Sequence, residues 1–152
     1  MLEKNIAFIS NYFWKESLNN INKTLLGDAH SFNMNDYYYL TEIYQSGKPK
    51  LGELALRLNL TKPAISAMVR RLEKNGLVER TQSGEDKRIF YLNLTEKGLK
   101  IIEGDYQLYE KLSNLFNNIF STEQIDVLSD SLDKVVCKLT EEAGVRRIGE
   151  SK

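Results

Sequence analysis

Two short helical patterns, separated by the turn NLT, constrain the fold of this chain more than any other feature of its sequence. The first pattern is LGELALRLN, which starts at Leu51, and the second runs from Thr61 to Gly76. Apolar residues recur every three or four positions in both patterns, so each helix has one buried face. Thr61 is a favourable N-cap residue, and Pro63 lies in the first turn, where its missing N–H costs little. The sequence therefore predicts a helix-turn-helix.

The apolar pattern changes from a helical period to an alternating one after Gly76. The segments LVERT and RIFYLNL both alternate between two faces, and the polar, turn-forming segment QSGEDK lies between them. Two short alternating runs joined by a polar loop predict a β-hairpin. A hairpin directly after a helix-turn-helix is a wing. The predicted fold class is therefore mainly α with a small β-hairpin wing, a winged helix-turn-helix spanning residues 33–98.

Long helical patterns occupy both ends of the chain. One covers about residues 3–26 and is predicted to end at Gly27, and another is capped by Asn33 or Asn35. Thr95 is predicted to cap a long helix, and Ser121 with Gln124 predicts a capping box for the last one. Residues 1–32 and 99–152 have more apolar surface than the winged lobe can cover. A second copy of the chain would bury that surface, so these segments are predicted to form a helical dimerisation region of a two-fold homodimer.

Charge is distributed unevenly along a chain that has 21 basic and 21 acidic residues and a formal net charge of zero. Residues 48–88 contain ten basic and five acidic residues, a net charge of +5. A basic middle on a neutral or acidic scaffold favours a polyanion-binding centre. Chance clustering of surface charge is the alternative.

Several classes of protein are disfavoured by the sequence. No apolar run approaches the roughly 20 residues that cross a bilayer, and Glu3, Asn5 and Ser10 interrupt any signal-peptide core. We therefore expect a cytoplasmic protein without a membrane partner. Cys137 excludes an internal disulfide because it is the single cysteine. Its apolar neighbours favour a buried, inert thiol over a redox sensor.

Catalytic and metal-binding patterns are missing from the sequence. His30 is the single histidine, and no cluster of histidine, cysteine and carboxylate residues surrounds it. No nucleophile with an adjacent base can be assembled, and no glycine-rich loop is present to hold a phosphate. The sequence therefore predicts neither an enzyme nor a cofactor.

The second helix of the helix-turn-helix has an outer face suited to the DNA major groove. Small residues let a helix backbone come close to the bases. Ser66 can hydrogen-bond base edges, and Pro63 or Ala67 can touch thymine methyl groups. Arg70 can reach guanine or a phosphate. A solvated basic face, or a protein-binding module with the same geometry, is the alternative. The remaining candidates are better placed for phosphates: Thr61, Lys62, Arg71 and Lys74.

The segment DKRIFYLNLTEKG resembles the MarR family, the multiple-antibiotic-resistance-type regulators. The family pattern is an Asp, any residue, an Arg, three residues, an aliphatic residue, a gap, and Leu-Thr-x-x-Gly. LEKNGLVER resembles the family's stretch after the recognition helix, and together the motifs cover about residues 51–98. Every place of the pattern is filled in this sequence, by Asp86, Arg88, Leu92, Leu94, Thr95 and Gly98.

The resemblance implies a dimeric winged-helix regulator, most often a repressor, that binds a pseudo-palindromic operator in double-stranded DNA. It implies that Arg88 enters the minor groove, that Asp86 orients it, and that Lys87 lies beside them in the wing. A narrow A·T-rich minor groove attracts arginine, which agrees with this role. An ordinary exposed hairpin ion pair is the alternative. Ala67 departs from the family, where many members have arginine or a polar residue.

Small-molecule control is also implied by the resemblance, since family members often bind a ligand in a cleft between the dimer helices and the winged lobe. Aromatic or amphipathic effectors would suit the aromatic residues of this chain, although most such residues belong to cores. A winged-helix module that docks a protein and has lost DNA binding is the alternative function. The candidate ligand residues are Tyr12, Trp14, Tyr38 and Tyr39.

Overall fold

The computed structural model describes residues 1–26 and 32–143 of the chain. The chain divides into two compact units, Met1–Tyr106 and Gln107–Lys152. Its secondary structure confirms a mainly helical fold with one antiparallel hairpin. The helices are α1 (Leu2–Leu25), α2 (Met34–Ser46), α3 (Leu51–Arg57), α4 (Lys62–Lys74), α5 (Glu96–Ile119) and α6 (Thr122–Ala143), and the strands are β1 (Val78–Gln82) and β2 (Phe90–Leu94). Within the described part of the chain, no helix has the length and apolar character needed to cross a membrane.

Helix α1 ends one residue earlier than the sequence predicts. Leu26 adopts the left-handed conformation with φ 52°, and its N–H donates to the carbonyl of Lys23 at 3.4 Å. The predicted terminator, Gly27, lies outside the described residues. A leucine in this conformation carries strain that a glycine would avoid.

Helix α2 begins at a capping box around Asn33. The Asn33 side chain accepts from the N–H of Asp36 at 3.1 Å, and the Asp36 carboxylate accepts from the N–H of Asn33 at 3.0 Å. This reciprocal pair satisfies two N–H groups that a helix start leaves unpaired. It selects Asn33 rather than Asn35 as the cap. Phe32 and Tyr37 pack against the core.

Helices α3 and α4 form the predicted helix-turn-helix. Asn59 makes the turn with a positive φ of 51°, and the N–H of Leu60 donates to the carbonyl of Ala55 at 2.9 Å. Thr61 caps α4 by accepting from the N–H of Ala64 at 3.4 Å. The apolar face of α4 is buried as the spacing predicts, through Ile65, Met68, Val69 and Leu72.

Strands β1 and β2 form the predicted wing, in antiparallel register from Val78 opposite Leu94 to Gln82 opposite Phe90. The simple alternation of LVERT is wrong at its start, because Leu77 and Val78 are both buried. Leu77 precedes the strand and belongs to the turn that closes α4, where its N–H donates to the carbonyl of Leu72 at 3.0 Å. The base of the hairpin is also held from the side, since the N–H of Leu92 donates to the carbonyl of Pro49 at 3.0 Å.

Helix α5 starts where the hairpin ends, under a Thr95 cap. The Thr95 hydroxyl accepts from the N–H of Gly98 at 3.1 Å and donates to the carbonyl of Gly76 at 2.6 Å. Gly98 lies so close to the chain before β1 that a Cβ atom on it would be 2.2 Å from the Leu77 carbonyl oxygen. The glycine of the Leu-Thr-x-x-Gly motif is therefore required for α5 to pack against the entry to the wing.

The core of the first unit is apolar and draws on α1 to α5 and both strands. Helix α1 contributes two residues near its C-terminal end, whereas its N-terminal half is exposed. The buried apolar residues are Ile21, Leu25, Leu40, Ile43, Leu54, Ala55, Ile65, Met68, Val69, Leu72, Leu77, Val78, Leu92, Ile101 and Ile102.

The second unit contains the end of α5 and all of α6. Ser121 and Gln124 form the predicted capping box, with the N–H of Ser121 donating to the Gln124 amide oxygen at 3.0 Å and the N–H of Gln124 donating to the Ser121 hydroxyl at 3.4 Å. The prediction of a buried Cys137 is wrong, because this residue is exposed. Helix α6 also exposes several apolar residues. Apolar neighbours in the sequence therefore do not indicate that Cys137 is buried within a single chain. These exposed residues are Val127, Leu132, Val135, Val136 and Leu139.

The predicted domain division differs from the compact units. Residues 1–32 are predicted to join residues 99–152 in a dimerisation region, whereas α1 is part of the first compact unit with the winged lobe. Compactness within one chain does not test how two chains assemble. The role of these end helices in dimerisation stays a prediction.

Candidate nucleic-acid interface

Helix α4 presents a face of small and basic residues opposite its buried side. Pro63, Ala67, Arg70 and Lys74 are exposed, and Ser66 is half-buried. Thr61 and Lys62 are exposed at the start of the helix. The first part of this face is small enough for a close approach to bases, and the second part is cationic, which suits phosphates.

Arg71, which the sequence predicts as a phosphate contact, binds a buried carboxylate. Its Nε donates to Asp36 Oδ1 at 3.0 Å, and its Nη2 donates to the same oxygen. The Asp36 side chain is completely buried, whereas 38% of the Arg71 side chain is exposed. Removing Arg71 would leave the buried Asp36 carboxylate without its cationic partner, which is strongly destabilising. Arg71 therefore fixes α4 against the start of α2, and its contact with a phosphate stays a prediction.

A second ion pair fixes the wing to α4. Arg80 on β1 donates through Nε to Glu73 Oε1 at 2.7 Å and through Nη2 to Glu73 Oε2 at 2.9 Å. A bidentate pair of this kind fixes orientation as well as distance. Sequence reasoning missed it, because the two residues lie seven positions apart across the turn at Gly76 and share no helical or strand period.

The tip of the wing is ordered by local hydrogen bonds around the DKR segment. Asp86 Oδ1 accepts from the backbone N–H of Arg88 at 2.8 Å, so Asp86 positions the Arg88 backbone. The Gln82 side chain donates to the carbonyl of Lys87 at 2.6 Å, and the N–H of Ser83 donates to the carbonyl of Ile89 at 2.9 Å. Asp86, Lys87 and Arg88 are all exposed at this tip.

The basic residues of the middle segment fall into two groups. Arg57 donates to the Ser46 hydroxyl at 2.6 Å, and Arg71 and Arg80 are held by carboxylates. Across residues 1–26 and 32–143, no ion pair holds Arg70 or Arg88. These two arginines are therefore the guanidinium groups best able to bind a polyanion without first breaking an internal ion pair or side-chain hydrogen bond.

The candidate ligand residues lie on α1 and α2. Tyr38 is 52% exposed, Tyr12 and Trp14 are 40% and 36% exposed, and Tyr39 packs against the core. Partial burial, the charge of the Glu42 carboxylate and a hydrogen bond to it raise the pKa of Tyr38. Two surface depressions in the first unit, of about 520 Å³ and 600 Å³, are lined by other residues, around Lys48 and Lys97 respectively.

A buried carboxylate on α5 was not predicted as a functional residue. Asp105 accepts a hydrogen bond from the Ser17 hydroxyl at 2.7 Å and another from the Tyr37 hydroxyl. Its burial was predictable from the helical spacing. Asp105 follows Ile101 by four residues and Ile102 by three, so it lies on the same buried face of α5. His30, the single histidine, lies outside the described residues. Among those described, no three metal-ligating side chains are grouped.

Known proteins match this architecture in sequence and in fold. The sequence model of the MarR family matches residues 32–90. The HTH-type transcriptional regulator YhbI of Bacillus subtilis is 32% identical over 111 residues, which cover 71% of this chain and 72% of that protein. The HTH-type transcriptional regulator YkoM of B. subtilis is 30% identical over 96 residues, which cover 62% of this chain. The chain thus spans 62% of the length of YkoM, less than two thirds of it.

Solved structures with the same fold cover nearly the whole chain. FabT of Streptococcus pneumoniae, crystallised in complex with DNA, has a TM-score of 0.66 and 20% identity over 91% of this chain and 94% of FabT. MepR of S. aureus bound to ethidium bromide has a TM-score of 0.67 and 19% identity over 91% of this chain and 96% of MepR. With these matches and the winged helix-turn-helix geometry, the chain belongs to the MarR family of transcriptional regulators.

Proposed function

We propose that this protein binds a pseudo-palindromic operator as a homodimer and represses transcription there. The observation that carries the proposal is the exposed face of α4. Among the described residues, no ion pair holds Arg70 on that face. The Glu73–Arg80 pair fixes the wing to that same helix. In the proposed complex α4 enters the major groove and the wing follows the adjacent minor groove. A dimer bound over a promoter would exclude polymerase from it.

Dimerisation is supported by the apolar side chains that one chain leaves exposed. They lie on α1, where Leu2, Ile6 and Phe8 are exposed, and on α6, where Leu132 and Leu139 are. Exposed apolar surface of this extent marks an interaction site in a soluble protein. Two half-sites about one DNA turn apart would then be read by the two copies of α4.

Replacement of Ser66 or Arg70 by alanine is expected to reduce the preference for operator over random DNA. Each change removes the side chain of a proposed base contact, which corresponds to about 1–3 kcal/mol of discrimination. The measurement is a titration of each variant against the promoter DNA of its own gene and against a scrambled duplex. A variant of exposed Glu96, such as Glu96→Ala, is the control, since Glu96 pairs with Lys100 on α5.

The titration also decides between the proposed function and the alternative. A wild-type protein that binds neither duplex at low salt would refute DNA binding and favour a protein-docking module. If neither Ser66→Ala nor Arg70→Ala changed the preference, the outer face of α4 would not read sequence.

The wing is expected to contribute affinity rather than base preference. Arg88→Ala removes a cation from the proposed minor-groove contact, so affinity should fall on operator and scrambled duplex alike. In a plot of the logarithm of affinity against the logarithm of salt concentration, the slope should become shallower by about one unit. Asp86→Ala should have a smaller effect, because Asp86 positions the backbone N–H of residue 88 and makes no cationic contact. An unchanged salt slope for Arg88→Ala would place the wing outside the groove.

An aromatic or amphipathic ligand is proposed to lower operator affinity by changing the spacing of the two α4 helices. Support comes from the exposed aromatic rings of Tyr12, Trp14 and Tyr38, and from the likeness to MepR, which was solved bound to ethidium bromide. Coupling of about 1–3 kcal/mol would be typical. Operator titrations with a panel of phenolic and planar cationic compounds test it. A panel in which no compound shifts the affinity counts against ligand control of this class.

A further inference from the structure

A buried carboxylate joins three helices of the first unit. Asp105 on α5 is 4% exposed. It accepts from the Ser17 hydroxyl of α1 at 2.7 Å and from the Tyr37 hydroxyl of α2. A carboxylate in such a place requires hydrogen-bond donors, because burial without them is costly. The two hydroxyls therefore fix α1 and α2 relative to this point of α5.

Helix α1 is also held directly against the backbone of α5. Asn20 Nδ2 donates to the carbonyl of Ile101 at 3.0 Å. A Cβ atom on Gly104 would lie 2.0 Å from the same Asn20 nitrogen, so the glycine makes room for the amide. Ser17, Asn20, Gly104 and Asp105 together form the α1–α5 junction.

The first turn of α2 binds the recognition helix as well as this junction. Asp36, the residue before Tyr37, is completely buried and accepts from Arg71 of α4. Asp36 also accepts from the N–H of Asn33 at 3.0 Å and donates its own N–H to the Asn33 side chain. Two consecutive residues of one capped turn thus hold α5 and α4.

We infer that the first turn of α2, residues 33–37, couples the α1–α5 junction to the recognition helix α4. Asp36 and Tyr37 share a peptide bond inside a hydrogen-bonded cap. In the inferred coupling, a displacement of the Tyr37 hydroxyl relative to Asp105 shifts this turn and with it the Asp36 carboxylate that holds Arg71. Tyr37 and Asp105 are positioning residues for α4. The consequence of this coupling for operator binding rests on the proposed function, whereas the coupling itself is a property of the folded chain.

Hydrogen exchange of the full-length protein without DNA tests the coupling. Tyr37→Phe removes one hydroxyl and keeps the ring. We expect backbone amides of α4 to exchange about threefold to tenfold faster in this variant, the range typical of coupling between sites. Amides of β2 and α6 should keep their wild-type rates. Tyr44→Phe, which removes a hydroxyl from a tyrosine farther along α2, is the matched control and should leave α4 unchanged.

The reciprocal change gives a second readout. Because coupling between two sites acts in both directions, Arg71→Gln should accelerate exchange of the α1 amides around Ser17 and Asn20. Unchanged α4 rates in Tyr37→Phe would overturn the inference. Equal acceleration throughout the chain would also overturn it, because the hydroxyl would then contribute to general stability alone.

Binding data separate this inference from the proposed function. If exchange shows coupling and the wild-type protein binds no DNA, the inference stands and the proposed function fails. If the wild-type protein prefers its operator and exchange shows no coupling, the proposed function stands and the inference fails.

Discussion

Replacement of Gly98 by alanine is expected to lower the free energy of unfolding by about 3 kcal/mol, at the upper end of the cost of overpacking. The added Cβ would lie 2.2 Å from the Leu77 carbonyl oxygen and 3.2 Å from the Leu77 carbonyl carbon. These are backbone atoms, so no side-chain rotation can relieve the contact, and α5 must move away from the entry to β1. Urea unfolding followed by circular dichroism measures the loss.

The sign of this effect makes the test sharp. Helix propensity alone predicts that a glycine-to-alanine change inside a helix stabilises it by about 1 kcal/mol. Gly84→Ala in the wing loop is the matched control, because no heavy atom lies within 4 Å of a Cβ built there. Its effect should stay within about 0.5 kcal/mol. A Gly98→Ala protein as stable as the wild type would show that α5 and the chain before β1 are not in close contact.

Leu132→Asp is expected to convert the proposed dimer into monomers at micromolar concentration and to lower operator affinity about a hundredfold or more. Leu132 is 52% exposed on α6 in the single chain, and the proposed interface would bury it. A carboxylate there would have to be desolvated without a partner. A monomer binds one half-site and loses the gain from linking two binding modules, typically about a hundredfold or more.

Sedimentation and operator titration check the two parts of this prediction. Lys134→Asp is the control. This substitution also introduces an aspartate, but residue 134 lies on the side of α6 opposite Leu132. It should remain dimeric. A Leu132→Asp protein that sediments as the wild type does, or a wild-type protein that is monomeric, would contradict the proposed assembly.

Helix starts and the winged helix-turn-helix were predictable because their determinants are local. Asn33, Thr61, Thr95 and Ser121 each cap the helix that follows, as the identity and spacing of neighbouring residues indicate. The hairpin followed from a change of apolar period at Gly76 and a polar loop. Such features require no knowledge of which elements meet in space.

Features that join distant segments were not predictable from one sequence. The partner of Arg71 lies 35 positions away, on a helix whose place next to α4 no local pattern reveals. For the same reason Arg80 counted as a basic surface residue although Glu73 holds it. Cys137 failed in the opposite way, since its apolar neighbours in sequence are exposed in the single chain and do not belong to its core.

The wing is attached to the rest of the first unit near its base rather than at its tip. Its base is clamped on one side by the Pro49 carbonyl and on the other by the Glu73–Arg80 pair. Beyond these clamps the loop from Ser83 to Ile89 is held by bonds within the hairpin itself. Elastic deflection is therefore concentrated at the free end. If the wing follows the minor groove as proposed, its tip would adapt to grooves of different width, while the Glu73–Arg80 pair would keep the base of the wing in place on α4.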